Sequence, residues 1–271
     1  MNSIEIKMSD TLKDLKENHH VIGVKAEFEA EGTRLEEALR LKEVITKAGL
    51  DLTIKIGGCE ALKDMFDSRS IGVSRIVAPM IESAYALKKY IGATKVAYPK
   101  DEWQNVSFLI NLETIEGFNN FDSMLKIPEI SDLDGIVLGR VDMTGSMGLT
   151  REDINSAKIF DMAKTLFKKA KNHNLECVIG GGVSAASLPF FNDLPAGMLD
   201  RYETRKVIFQ CPDALGKDAD KGILKAVGFE LMWLKNKRDF YGMIFEEDKQ
   251  RIQMLQSRYD KLIKEAGGRY E

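Results

Sequence analysis

Short apolar runs alternate with amphipathic segments along most of the chain. Apolar residues recur at helical spacing between the runs, most clearly in residues 35–48 and 153–173. Alternation of strands and helices predicts a parallel α/β fold. We expect a TIM-type (β/α)8 barrel that is either irregular or limited to seven clear strands, with any eighth strand in residues 4–7 or 95–98. The seven good strand candidates are centred near Val24, Ile54, Ile76, Leu109, Ile136, Val178 and Ile208.

The pattern changes near residue 212. Residues 198–209 are expected to form the last strand, with Arg201 or Arg205 near the rim. Beyond them, residues 221–236 and 247–266 have helical periodicity, which is more helix than one barrel needs. We therefore divide the chain into an α/β barrel, residues 1–212, and a C-terminal helical extension, residues 213–271.

The first strand candidate carries charges on one face. Lys25, Glu27 and Glu29 alternate with apolar residues, so the three charged side chains point the same way. In a barrel the outward face is covered by helices, and buried charges are rarely tolerated unless they are paired or bind something. The alternation therefore favours a pocket-lining role for the three residues. An edge strand, or a face exposed at the rim, would produce the same pattern.

Two acidic residues follow directly after strand candidates. Glu113 follows the run at 108–112, and Asp142 follows the run at 135–138. In a parallel barrel the C-terminal strand ends share one rim, so the two carboxylates would converge although 28 residues lie between them. Carboxylate oxygens suit Mg²⁺ or Mn²⁺, which seldom receive a full protein cage. Either residue alone could instead cap a helix.

Other candidate ligand groups also follow strands. Lys55 ends the run at 52–56, and Gly57 and Gly58 after it would let backbone N–H groups approach a ligand. Three glycines at 180–182 follow another run and could cradle a carboxylate or phosphate, or simply form a tight turn.

The composition limits the classes of molecule that the protein is expected to bind. The chain is 44% hydrophobic and 30% charged with a formal net charge of −3, so nothing favours binding to nucleic acid or to a membrane surface, and we expect a small-molecule partner. No apolar run approaches the ~18 residues of a membrane span, and residues 1–7 lack a signal-peptide core, which predicts a cytoplasmic protein. Three scattered cysteines indicate neither disulfides nor a zinc site, and the three histidines are expected at the surface.

Three motifs resemble the HpcH/HpaI aldolase and citrate lyase β family. They are PMIES at 79–83, LETIEG at 112–117, and DGIVLGRVDMT at 134–144 closing on Gly148. The likeness is clear over residues 52–149, and outside that range it consists of strand–helix alternation only. It implies the barrel fold and a metal-dependent aldolase or lyase that acts through the enolate of pyruvate or a related 2-oxo acid, with an aldehyde or similar second substrate.

The resemblance also assigns roles by position. Glu113 and Asp142 would hold the divalent metal, and backbone N–H groups around Gly139, Arg140 and Val141 would accept the substrate carboxylate. In such proteins C-terminal helices often pack on a neighbouring subunit, which predicts a homo-oligomer.

This chain departs from the family pattern at three places. Asn111 stands where many members have glutamine, and Lys55 stands where members have arginine, which keeps the charge but loses the bidentate fork. The family's histidine base has no counterpart, which leaves Glu27, Glu29 and a metal-bound water as candidates for the base. These changes predict an altered substrate range, with pyruvate, oxaloacetate, phosphoenolpyruvate and a CoA ester all open as donors.

Two other functions fit the same residues. Lys55 or Lys25 could form a Schiff base with a keto substrate, as in lysine aldolases. Alternatively, the barrel could bind a 2-oxo acid or sugar acid without turning it over.

Overall fold

The computed structural model describes residues 1–268 of the chain. Its centre is a closed barrel of eight strands, β1 to β8, in sequence order around the barrel. The strands are β1 Val21–Glu27, β2 Asp51–Lys55, β3 Arg75–Ala78, β4 Ser107–Leu112, β5 Gly135–Gly139, β6 Glu176–Gly180, β7 Arg201–Glu203 and β8 Val207–Gln210.

Ten α-helices accompany the strands in the described residues, together with four short 3₁₀ segments. The α-helices are α1 Ser3–His19, α2 Leu35–Lys47, α3 Leu62–Ile71, α4 Ala84–Ala97, α5 Lys100–Trp103, α6 Ile115–Met124, α7 Arg140–Ser146, α8 Ala157–Lys171, α9 Leu188–Asn192 and α10 Ala219–Glu265. The 3₁₀ segments are Pro128–Asp132, Arg151–Asn155, Ala185–Ser187 and Asp213–Leu215.

The barrel is mixed rather than wholly parallel. Strands β1 to β7 pair in parallel, whereas β8 lies antiparallel between β7 and β1. The eighth strand thus comes from the region 198–209, which we expected to form one strand. The chain turns back there because the Thr204 N–H donates to the Val207 carbonyl at 3.0 Å, and the Val207 N–H donates to Thr204 Oγ1 at 3.1 Å.

Both regions considered for an eighth strand prove helical. Residues 4–7 lie within α1, and residues 95–97 end α4. Asn2 explains the first case, because its side chain caps α1 and Glu5 completes a capping box. Residues 153–173 also differ from the single helix expected, since a 3₁₀ segment precedes α8.

The lower interior of the barrel is apolar. Val77, Leu109, Val137 and Val178, from four successive strands, form one buried cluster. Side chains two residues apart on a strand share a face, so the next inward positions toward the C-terminal ends are Asn111 on β4 and two glycines on β5 and β6. Polar and glycine positions above a floor of apolar side chains leave room for a pocket at that rim.

The chain divides into two compact units, Met1–Glu230 and a second that begins at Leu231. Residues 221–236 and 247–266, expected as separate helices, belong to the one element α10. Residues 269–271 of the expected extension lie outside the described residues. Within residues 1–268, no helix combines the length and the apolar character needed to cross a membrane.

Candidate active site

A cavity of about 480 Å³ opens at the C-terminal ends of the strands. Residues at the ends of β1, β2, β4, β5, β6 and β7 line it, together with Val227 and Glu230 of α10. This is the end of the barrel at which TIM-barrel enzymes build their active sites. Of the residues that the sequence singled out, the cavity is lined by Lys25, Glu27, Glu29, Lys55, Asn111, Glu113, Gly139, Val141, Asp142, Gly180, Gly181, Gly182 and Arg205.

Glu113 is held rigidly beneath the cavity and is 2% exposed. Its Oε1 accepts the Met80 N–H at 3.1 Å, and its Oε2 accepts Asn111 Nδ2 at 2.7 Å. Lys55 Nζ lies 3.5 Å from Oε1. Burial raises the pKa of Glu113 above its ordinary value, although Lys55 opposes that shift. The two hydrogen bonds fix the orientation of the carboxylate, and a cation bound there would favour its ionised form.

Met80 adopts an unusual backbone conformation to make this contact. Its φ is +49°, in the left-handed region that non-glycine residues seldom occupy. Such conformations persist where the surroundings enforce them, and they cluster at functional sites. The PMIES motif also serves the framework, because Glu82 in it accepts a hydrogen bond from Thr114 Oγ1 at 2.7 Å.

Asp142 reaches the same cavity from the first turn of α7. Its carboxylate is exposed and has no hydrogen bond or ion pair to any described residue. Its negative charge contributes to the raised pKa of Glu113, so the two carboxylates interact electrostatically. Gly139 makes room for Glu113, because a Cβ there would lie 2.7 Å from Glu113 Oε2.

The donor set fits a hard divalent cation. Besides the two carboxylates, the buried Oδ1 of Asn111 has no hydrogen-bond partner. Within residues 1–268, no group of three or more His, Cys, Asp or Glu side chains is arranged to hold a metal. The protein thus offers two carboxylates and one amide oxygen, which leaves the other coordination positions for water and substrate, as Mg²⁺ and Mn²⁺ sites commonly do.

Both lysines of the cavity are ion-paired. Lys25 Nζ lies 2.5 Å from Glu203 Oε1 and 3.2 Å from Glu27 Oε1. Lys55 Nζ lies 2.8 Å from Glu29 Oε2. Burial alone would lower the pKa of each lysine, but the neighbouring carboxylates outweigh it and raise the pKa of both. Burial would likewise raise the pKa of Glu27, yet the ammonium groups of the two lysines keep it below its ordinary value.

Several residues that line the cavity were not predicted from the sequence. Glu203 pairs with Lys25 from 178 positions away and reaches the cavity because Gly180 opposite it has no side chain. Arg151, in the 3₁₀ segment after α7, and Glu230, in α10, also line the cavity. Of the two arginines expected near the rim, Arg205 lines the cavity, whereas Arg201 begins β7 and lies at the opposite end of the barrel, paired with Glu176. No local pattern marks these residues, because barrel closure alone brings them to the site.

The Arg140 side chain does not face the cavity. It is fully buried, and it donates to the carbonyls of Gly180 at 3.2 Å and Gly181 at 3.0 Å. The guanidinium also stacks on Phe190 and Phe191, 5.3 and 5.1 Å from the ring centroids, and burial lowers its pKa to about 10. Arg140 therefore shapes the glycine run of β6, and only its backbone N–H remains a candidate for substrate binding.

Glycine is required at position 181 because the backbone there passes close to the backbone at the start of α7. A Cβ on Gly181 would lie 2.7 Å from the backbone nitrogens of both Arg140 and Val141, and the φ of Gly181 is +79°. The other glycine pair behaves differently. Gly57 and Gly58 do not line the cavity, because the Gly57 N–H donates to Asp64 Oδ2 at 2.7 Å and so serves the start of α3.

The histidines are distant from the cavity. His19 was expected at the surface, but it is 8% exposed and its Nε2 lies 3.0 Å from Lys225 Nζ. None of the three histidines is among the residues that line the cavity, so no histidine base is available from the described part of the chain.

Together, the fold and the rim cavity define an α/β-barrel protein with an acid-rich pocket at its C-terminal strand ends. The chain belongs to the HpcH/HpaI aldolase/citrate lyase family, whose model matches residues 34–181. This confirms the resemblance seen in the sequence motifs and places the protein among lyase- and aldolase-type enzymes. No match was found among curated protein sequences.

Solved structures show the same fold at low identity. An HpcH/HpaI aldolase from Desulfitobacterium hafniense DCB-2 is similar at a TM-score of 0.59 and 14% identity, covering 73% of this chain and 82% of that one. An HpcH/HpaI aldolase/citrate lyase family protein from Burkholderia cenocepacia J2315 has a TM-score of 0.54 at 14% identity, covering 68% and 80%. The citrate synthase SbnG has a TM-score of 0.59 at 12% identity, covering 87% and 90%.

Proposed function

We propose that this protein is a divalent-metal-dependent carbon–carbon lyase or aldolase that acts through the enolate of pyruvate or a related 2-oxo acid. The observation that carries the proposal is the convergence of Glu113, Asp142 and the unpartnered Asn111 Oδ1 on one cavity at the rim of the barrel. Family membership supports the reaction class.

Glu113 and Asp142 would hold Mg²⁺ or Mn²⁺, with the Asn111 amide beside them. When bound, the metal supplies positive charge that stabilises the enolate of the 2-oxo acid. Asn111 and the Met80 N–H orient Glu113 before any ligand arrives, so the site needs little rearrangement. The backbone N–H groups of Arg140 and Val141, in the first turn of α7, lack intrahelical acceptors and would bind the substrate carboxylate.

Lys55 would hold positive charge beside the reacting oxygens, in the place where the family carries an arginine. Glu27 and Glu29 are the side chains proposed to move the substrate proton. Glu29 contacts Lys55 at 2.8 Å, and Glu27 contacts Lys25 at 3.2 Å. The two lysines lower the pKa of Glu27 although burial opposes them, which favours its ionised form. An ionised carboxylate within the cavity can accept a proton from carbon.

A Schiff-base mechanism is less well supported. A nucleophilic lysine needs a lowered pKa so that it carries a free amine at neutral pH. The carboxylates around Lys25 and Lys55 raise both pKa values instead. The lysines thus fit electrostatic roles better than covalent ones.

The decisive test uses purified protein stripped with a chelator and then reloaded with Mg²⁺ or Mn²⁺. Pyruvate release or uptake is measured against a panel of 2-oxo acids and aldehydes, alongside metal content. We expect turnover only with metal. Glu113→Gln should lower both metal binding and kcat/KM by about 1000-fold, since it removes one charged ligand.

Glu116→Gln is the matched control, because Glu116 is exposed three residues further along and has no role at the cavity. It should behave as wild type. Metal-independent turnover, with substrate trapped by borohydride, would overturn the proposal in favour of a lysine aldolase. Substrate binding without turnover under any condition would favour a binding protein.

We also propose that the protein is a homo-oligomer held together through its second unit. That unit exposes large apolar side chains, which monomeric proteins rarely gather in one region. They include Leu234, Phe240, Met243, Phe245, Ile252, Leu255 and Leu262, each at least 47% exposed. Light scattering across micromolar concentrations should give a mass above 30.4 kDa, and a monomer throughout would refute this proposal.

A further inference from the structure

We propose that the carbonyl compound joined to or released from the enolate carries no negative charge, so that neutral and cationic aldehydes are preferred over aldehydes bearing a carboxylate or phosphate. This inference rests on the proposed function and specifies its second substrate. It follows from how the charges of the cavity are paired.

Carboxylates outnumber cations in the cavity. The described lining residues include six carboxylates and four cations. Glu31 and Lys206, which are paired with each other just outside the lining, add one charge of each sign and leave the excess unchanged. A divalent metal would bring this excess to zero, and a 2-oxo acid monoanion would make it negative again. The carboxylates are Glu27, Glu29, Glu113, Asp142, Glu203 and Glu230, and the cations are Lys25, Lys55, Arg151 and Arg205.

In the wall formed by the ends of β1, β2 and β7, both lysines are already paired with carboxylates. Lys25 is enclosed between Glu27 and Glu203, and Lys55 between Glu29 and Glu113. Each lysine therefore contacts two carboxylates. An anionic substrate group placed there would face excess negative charge in a partly buried site, where repulsion is stronger than in water.

Arg205 does not change this balance. Its Nε donates to Glu31 Oε1 at 3.2 Å, and Lys206 pairs with the other oxygen of the same carboxylate. These pairs join the β7–β8 turn to the segment after β1, so the guanidinium is held at the edge of the cavity. Its side chain is 54% exposed, and solvent screens its charge there.

Arg151 is the one lining cation without a hydrogen bond or ion pair among residues 1–268. Its Nε is 4.0 Å from the position that a Gly182 Cβ would occupy, on the β5–β6 side of the cavity. The backbone N–H groups proposed to bind the 2-oxo acid lie on the same side, against Gly181. Arg151 thus suits the carboxylate common to all 2-oxo acids. Glu230 also lines the cavity without a partner among the described residues, so its negative charge is not neutralised there.

The reaction itself is an aldol addition or its reverse. A base removes a proton from C3 of the 2-oxo acid, and the electron pair of the enolate forms the bond to the aldehyde carbon. The aldehyde oxygen takes up a proton, which gives a 4-hydroxy-2-oxo acid with no oxidant or reductant involved. Only the remote group of the aldehyde differs among the substrates compared below.

The test separates the inference from the function on which it rests. Exchange of pyruvate methyl protons in D2O with Mg²⁺, followed by NMR, reports enolate formation without any aldehyde. Aldol addition is then measured with three four-carbon aldehydes that cannot close to an imine or lactol, namely butanal, 4-(trimethylammonio)butanal and succinic semialdehyde. We expect kcat/KM for the neutral and cationic aldehydes to exceed that for the anionic one by at least about tenfold.

A charge reversal makes the comparison sharper. Glu230→Lys should raise kcat/KM for succinic semialdehyde by about tenfold and lower it for 4-(trimethylammonio)butanal. Glu17→Lys is the matched control: it makes the same charge change on the exposed face of α1 and should leave the order of the three aldehydes unchanged.

Each outcome has a definite reading. Proton exchange together with equal or better use of succinic semialdehyde would overturn the inference and leave the proposed function standing. A response to Glu17→Lys equal to that of Glu230→Lys would overturn the assignment to the cavity charges. Absence of both proton exchange and aldol turnover would overturn the proposed function and the inference with it.

Discussion

The two ends of this barrel use the same kinds of side chain for different purposes. At the N-terminal ends of the strands, Asp134 Oδ2 accepts the Phe108 N–H at 2.6 Å, and Asp200 Oδ2 accepts the Cys177 N–H at 2.6 Å. These carboxylates join one strand to its neighbour. At the C-terminal ends, Asp142 has no such contact and faces a cavity. At the N-terminal ends these carboxylates hold neighbouring strands together, whereas the carboxylate of Asp142 has no partner among the described residues and is available for chemistry.

The two ends of the barrel also differ in where their glycines lie. Gly139 and Gly180 at the upper rim leave space that Glu113 and Glu203 fill, since a Cβ on either glycine would press on the carboxylate. The apolar cluster that includes Val137 and Val178 fills the interior below them. On both β5 and β6, an inward valine that packs in the core is thus followed two residues later by a glycine that leaves space at the cavity.

Among the changes that test this comparison of the two ends, the largest effect is expected from closing the space beside Glu113 with Gly139→Ala. The new Cβ would lie 2.7 Å from Glu113 Oε2 and 2.8 Å from its Cβ, so the carboxylate must move. We expect kcat/KM to fall by about 100-fold, as small displacements of catalytic groups commonly cause. Steady-state kinetics and metal titration measure this. Gly145→Ala in α7, where a Cβ meets nothing within 4 Å, should have no such effect, and equal losses would contradict the assignment.

An intermediate effect, on stability rather than activity, is expected at the other end. Asp200→Ala leaves the buried Cys177 N–H without its side-chain acceptor and also removes the ion pair with Lys171 at 2.6 Å. Unfolding free energy should fall by about 1–3 kcal/mol, with kcat/KM within about twofold of wild type. Urea denaturation is the measurement. Asp200→Asn keeps an acceptor oxygen and should recover part of the loss. A large loss of kcat/KM in a variant that remains stable would contradict the purely structural role assigned to Asp200.

The smallest effect concerns pH. Burial and the nearby Lys225 lower the pKa of His19 beneath its ordinary 6.5, so the folded protein keeps the ring neutral where the unfolded chain would protonate it. Stability should therefore decline as pH falls below 6.5, by less than about 1 kcal/mol from this group. His19→Asn should lessen the decline between pH 7.5 and 5.5 in urea titrations, whereas His173→Asn, at an exposed site, should not. Identical slopes for all three proteins would refute this.

Local patterns predicted much of the barrel and part of the site. Apolar runs located β1 to β6 because strand periodicity is a property of a few neighbouring residues. The charged face of β1 predicted an inward direction for Lys25 and Glu27, and the cavity contains both. The β7–β8 turn was missed, because Thr204, Arg205 and Lys206 carry no glycine, proline or asparagine to mark it.

Glycines misled the sequence interpretation at one place. Gly57 and Gly58 look like a ligand cradle, yet Asp64 seven residues later takes the Gly57 N–H. Arg140 is the converse case. It directly precedes the cavity residue Val141 in a family motif, but its buried guanidinium binds the carbonyls of the next strand. Side-chain direction depends on neighbours that a motif does not contain.

By itself, the sequence determined the strand–helix alternation, the family motifs and the two acidic strand ends, since each rests on residues close together in the chain. The tertiary structure decided that an antiparallel β8 closes the barrel, that Glu203 neutralises Lys25, and that Arg151 and Glu230 reach the cavity. Contacts across more than a hundred residues follow from strand register and closure. Those are settled by the packing of the whole barrel, which no local stretch of sequence specifies.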